Sequence, residues 1–141
     1  MKYPALLFIV FFPLIYSCSG NSKKATADNE DYQKTRNALK IKEEKNPKTF
    51  LLVNGDYKKN LIGQTVIKGN VTNKASVAIF KDIDVNLFFY SKTKALLETD
   101  KETVFEVLHP GETKSFKTKY FAPKGTDSVG FNVVAAKVVA Q

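Results

Sequence analysis

Apolar and polar residues alternate most clearly between Lys81 and Tyr90, where Ile83, Val85, Leu87 and Phe89 interleave with Asp82, Asp84 and Asn86. A period of two is the mark of a half-buried strand. The same reading predicts strands at Phe50–Val53, Thr65–Asn73, Thr113–Phe121 and Ser128–Val139, with shorter pieces at Ser76–Phe80, Ala95–Glu98 and Thr103–Leu108. In Thr113–Phe121 the residues Phe116, Thr118 and Tyr120 share one side, and in the last strand Val129, Phe131 and Val133 do. Turn residues punctuate the series. Asn54-Gly55 is a tight-turn dipeptide, and Pro110-Gly111 and Pro123–Thr126 fix two further turns. About seven short strands at nearly regular spacing, with no convincing helix, predict an all-β fold: a single immunoglobulin-like β-sandwich over residues 49–141.

Two other textures precede it. Ala5 to Tyr16 form an apolar run behind Lys2, broken only by Pro13 and too short to span a membrane comfortably. Residues 18–48 are almost wholly polar, with Tyr32, Leu39 and Ile41 as the main apolar side chains. Such a segment buries too little surface to offset its ordering entropy, so it reads as a disordered tether, with at most a transient helix over 29–45 and a boundary at Pro47.

Composition sharpens this picture at three points. The chain has one cysteine, so no disulfide within the chain braces the sandwich, and it has no tryptophan. Phenylalanine, with eight of the eleven in the globular part, is expected to fill the space that a disulfide and tryptophan occupy in antibody domains. The formal charge is +8, mostly lysine, with Arg36 the single arginine. The lysines are spread through the sequence, and the simplest reading is solubility. Weak attraction to an anionic membrane is the alternative, and nucleic acid is not expected as a partner.

Candidate chemistry is sparse. His109 is the only histidine and sits in the Leu108–Glu112 turn. One histidine and one cysteine cannot supply the three or four ligands of a zinc site, so no metal is expected. Asp82 and Asp84 point away from the apolar set of their strand, toward solvent, and Glu98, Asp100 and Glu102 fall around an expected turn. The EF-hand spacing, the nucleophile elbow, the P-loop and the dinucleotide fingerprint are all missing. No catalytic residue, enzymatic activity or cofactor is expected. The outward aromatics Phe88 and Tyr90, on the face of Asp82 and Asp84, are the best candidate for a partner surface.

Two resemblances add to these readings. The run Leu14-Ile15-Tyr16-Ser17-Cys18, closing the apolar stretch, resembles the lipobox of a bacterial lipoprotein signal peptide. It implies a signal peptide over 1–17, cleavage between Ser17 and Cys18, and lipid on the Cys18 thiol. The expected location is then the bacterial cell envelope, with membrane attachment through that lipid. Ser19 after the cysteine, and the absence of an acidic run in the segment from 19 to 24, favour an outer membrane with the domain facing the periplasm. Residues Ile67–Asn73, Lys81–Tyr90, and Leu108–Thr113 with Phe116 resemble the FxLYD family of bacterial immunoglobulin-like modules, Ser91 standing where that family usually has aspartate. That likeness implies a non-catalytic accessory module of the envelope. The expected role is contact with another envelope component. A carrier of a small apolar ligand or lipid is the alternative, motivated by the phenylalanine-rich interior.

Overall fold

A computed structural model describes residues 22–140 of the chain. The expected signal peptide, Ser17 and Cys18 lie outside the described residues. The elements are α1 (Ser22–Lys45), α2 (Pro47–Phe50), β1 (Leu51–Lys59), β2 (Thr65–Asn73), β3 (Phe80–Ser91), β4 (Leu96–Leu108), β5 (Thr113–Tyr120) and β6 (Thr126–Val138). The strands form two antiparallel sheets, ordered β1-β2-β5 and β4-β3-β6. Packed face to face they make an all-β sandwich. The fourth strand pairs with β3 instead of joining the β2–β5 sheet.

The alternation in β3 orients the core. Ile83, Val85 and Leu87 are wholly buried, together with Phe80, Ile67, Val71 and Leu108 from neighbouring strands. Two glycines on the facing sheet make room for aromatic rings. Gly55 pairs with Gly69 on the core side. A side chain on Gly69 would lie 2.3 Å from the Phe116 ring, and one on Gly55 would meet the Lys68 carbonyl at 2.7 Å and the Phe131 ring at 3.1 Å. Phenylalanine thus occupies the interior, as the composition suggested, and Gly69 serves close approach.

Several expectations change. Asn54-Gly55 is no turn, because β1 runs on through it to Lys59; its glycine is used for packing, and the real turn is 60–64. The two pieces at 95–98 and 103–108 are one continuous β4, which places Glu98, Asp100 and Glu102 within a strand. Residues 76–79 form a loop that leads into β3. Six strands result among the described residues, against the seven anticipated.

The tether is the largest correction, since residues 22–45 form a helix. No apolar stripe holds it, and periodicity therefore gave no sign of it. It is fastened at its last turn by one carboxylate. Glu43, only 2% exposed, accepts the backbone N–H of Ser76 at 2.7 Å through Oε1, and those of Val77 at 2.9 Å and Ala78 at 2.8 Å through Oε2. Lys40 and Glu44 add an i,i+4 pair at 3.8 Å. Pro47 opens α2 at the position where its missing N–H costs nothing.

Candidate functional site

The outer face of the β4-β3-β6 sheet carries the residues that the sequence singled out. Phe88 and Tyr90 both lie on it, half-buried, with ring centroids 6.4 Å apart and planes inclined by 33°. They lean over Gly130 of β6, where a side chain would come within 3.2 Å of the Tyr90 ring. The absence of a side chain at 130 lets the two rings lie down on the sheet.

Further along the same face, Asp84 accepts from the Thr103 hydroxyl at 2.7 Å and pairs with Lys101 at 3.2 Å. The Thr103 bond, opposed by partial burial and helped by Lys101, holds its carboxyl below the usual aspartate range. Asp82 pairs with Lys137 at 3.0 Å. Its backbone sits at φ 47°, in the left-handed region where an aspartate is tolerated better than most residues. Each carboxylate is held by a lysine of a neighbouring strand. Among the described residues, no three His, Cys, Asp or Glu side chains converge as a metal site would require.

Glu98, Asp100 and Glu102 pair in register with Phe89, Leu87 and Val85, so they lie on the core-facing side of β4. They stand at its open flank beside β5. There the Tyr120 hydroxyl donates to Glu102 at 2.8 Å, and burial and that carboxylate together push the phenol above its ordinary value. His109 is exposed in its turn, and its backbone N–H donates to the Glu112 carboxylate at 2.9 Å.

Two features escaped the sequence reading. The first is Glu43, one of four acidic or basic residues in a row, with no local signal to mark it as buried. The second is a gathering of lysines. They are scattered in sequence, but strand register brings one group of them to a single end of the sandwich. Lys59 pairs with Thr65, Thr65 with Tyr120, Tyr90 with Leu96 and Ser91 with Thr126. The β1–β2 turn, the β3–β4 turn and the β5–β6 loop therefore share that end, and with them Lys58, Lys59, Lys92, Lys94, Lys119 and Lys124. The expectation of dispersed lysines is corrected there.

No family model matches the chain, and no curated protein matches it significantly. Among solved structures it is similar to the "Putative ApaA Protein from Bordetella pertussis", at 12% identity and a TM-score of 0.36, over 64% of this chain and 90% of that one.

Proposed function

We propose that this chain is a lipid-anchored, non-enzymatic protein of a bacterial cell envelope, whose β-sandwich contacts another envelope component. The observation that carries the reading is the single cysteine, Cys18, directly after a small residue at the end of an apolar N-terminal run. Two or more acyl chains at that thiol and its freed amine give stable anchoring. The polar groups of the interior and of the outer sheet face support a binding role over a chemical one. Glu43 and Asn73 spend their side chains on loop backbone, and Asp82 and Asp84 on neighbouring lysines. The interior between the sheets is filled by buried side chains, which argues against a carrier of acyl chains. The Phe88–Tyr90 face is the proposed contact with the envelope partner, on the periplasmic side of an outer membrane.

Intact-mass measurement after expression in a bacterium tests the anchor. The expected product begins at Cys18 and carries diacylglycerol, with or without a further acyl chain. A product beginning at Cys18 with no acyl mass, or one retaining residues 1–17, overturns it. Photo-crosslinking in cells from position 88 tests the contact, which predicts a discrete adduct that Tyr90→Ala abolishes.

A further inference from the structure

The lysine-bearing end of the sandwich has a second property that folding does not require. Leu61 and Ile62 at the tip of the β1–β2 turn are 106% and 71% exposed, and Phe121, directly after β5, is 76% exposed. Leu96, which opens β4 at the same end, is also exposed. One exposed leucine needs no explanation. Several at one end, ringed by Lys58, Lys59, Lys92, Lys94, Lys119 and Lys124, form an apolar tip inside a cationic collar. All six lysines are exposed, and among the described residues none of them forms an ion pair. Asp56 on β1, Glu98 and Glu102 on β4, and Asp127 on β6 are the acidic groups nearby, Glu102 accepting from the Tyr120 hydroxyl.

The turns that present these residues are built to hold them outward. Asn60 Oδ1 accepts from Ile62 N at 3.1 Å and Gln64 N at 2.9 Å, and its amide donates to the Gln64 side chain at 3.0 Å. Gly63, at φ 82°, lets the chain reverse. The turn closes through backbone and polar side-chain groups, so the side chains of Leu61 and Ile62 contribute nothing to it. In the β3–β4 turn, Lys94 occupies the left-handed region at φ 63°. Glycine or asparagine fits that position better, so a cation stands there against local backbone preference. The Tyr57 hydroxyl donates to the Asp127 carbonyl and ties the two sheets together just behind the tip.

We propose that this end of the sandwich docks on an anionic phospholipid surface, with Leu61, Ile62 and Phe121 entering the headgroup region and the lysine collar facing lipid phosphates. Charge complementarity selects this occupant. Lysines are flexible point charges suited to a mobile, diffuse array of phosphodiesters, and the single arginine, Arg36, lies in α1, away from the tip. Apolar side chains framed by cations are the composition that binds a bilayer interface. The site belongs to the folded body and is independent of whether Cys18 carries lipid.

The test uses the chain from Ser19 to Gln141, which contains both sheets and the docked helix, with circular dichroism to show that each variant is folded. It is sedimented with vesicles of phosphatidylcholine alone or mixed with phosphatidylglycerol. Binding is expected only to the mixed vesicles and is expected to be lost near 1 M salt, where the screening length falls to about 3 Å. Each of Lys58→Gln, Lys94→Gly and Lys119→Gln is expected to weaken it about fivefold, and Leu61→Ser with Ile62→Ser about tenfold or more. Lys42→Gln with Lys45→Gln, in the last turn of α1, is expected to leave it unchanged. Absence of binding to mixed vesicles overturns the proposal, even if the chain captures an acidic protein instead. So does equal binding to neutral vesicles, or equal loss in the Lys42/Lys45 variant.

Discussion

At the end of the sandwich that carries α1, two side chains organise the loops. Asn73, wholly buried, donates to the carbonyls of Ala78 at 2.9 Å and Leu108 at 3.1 Å, and accepts from Ala75 N at 2.9 Å. Glu43 takes three N–H groups of the same loop. The opposite end reverses each of these choices. Its turns close through their own side chains, its leucine, isoleucine and phenylalanine face outward, and among the described residues its lysines form no ion pair. Buried polar groups with every bond made give one end a unique geometry. At the other end, exposed apolar groups stand among exposed lysines that form no ion pair among the described residues, which is the pattern on which the proposed membrane contact rests. The end that holds the loops together and the end proposed to bind are separated by the length of the strands.

The strongest way to break the comparison is at Asn73. Asn73→Ala strands two buried carbonyls and one N–H, so a loss of about 3 kcal/mol is expected in denaturant unfolding. Substitutions at the lysine end should cost almost nothing by the same measure. Gly55→Ala comes next at about 2 kcal/mol, because the new Cβ meets a backbone carbonyl that cannot move aside.

Glu43→Gln is expected to cost about 1–2 kcal/mol, since a neutral amide offers one acceptor oxygen where the carboxylate offers two. Amide exchange at Ser76, Val77 and Ala78 is expected to rise with it, while exchange in the β3 core stays slow. The pH dependence of the same amides sharpens the point. Burial raises the Glu43 pKa, but the backbone bonds from Ser76, Ala78 and Val77 outweigh it and hold the carboxyl below 4.5. A depressed carboxylate stabilises the docked helix fully above the unfolded value near 4.5 and loses that contribution as pH falls through the lower folded value. Protection of these amides should therefore be flat from neutrality to about pH 5 and fall at more acidic pH. A loss already complete at pH 6 would show that Glu43 does not fasten the helix.

The smallest effect carries the opposite sign. Lys94→Gly relieves a left-handed lysine but gives the unfolded chain more freedom, so a gain of about 0.5 kcal/mol is expected in thermal unfolding. A variant that is more stable yet binds anionic vesicles less well would separate folding from function at one residue. A destabilised Lys94→Gly would mean that the lysine is there for the turn.

Much of the sandwich was written in the alternation itself. Ile83, Val85, Leu87 and Phe89 were placed inward by a period of two, and Asp82, Asp84, Phe88 and Tyr90 outward, because a pleated strand leaves no other arrangement. Pro110-Gly111 made a turn, with Gly111 at φ 78°. Local signals misled where a residue type serves two purposes. Asn54-Gly55 has the composition of a turn, but Gly55 is there to admit a phenylalanine ring. Residues 96–108 look broken by charge, but the carboxylates line an open flank of a continuous strand. A transient helix over 29–45 was legible, but the full helix over 22–45 and its attachment were not, for a different reason. Its attachment rests on one glutamate and three backbone N–H groups more than thirty residues away, and no periodicity encodes such a contact.

The sequence by itself determined where most strands lie and which way β3 faces, the phenylalanine-filled interior and the lone cysteine after an apolar run, since each follows from neighbours a few positions apart. Tertiary structure alone decided which lysines stand together and which glutamate is buried. Both depend on strand register and loop position, which bring residues 58, 94 and 119 to one end and residues 43 and 76 into contact at the other.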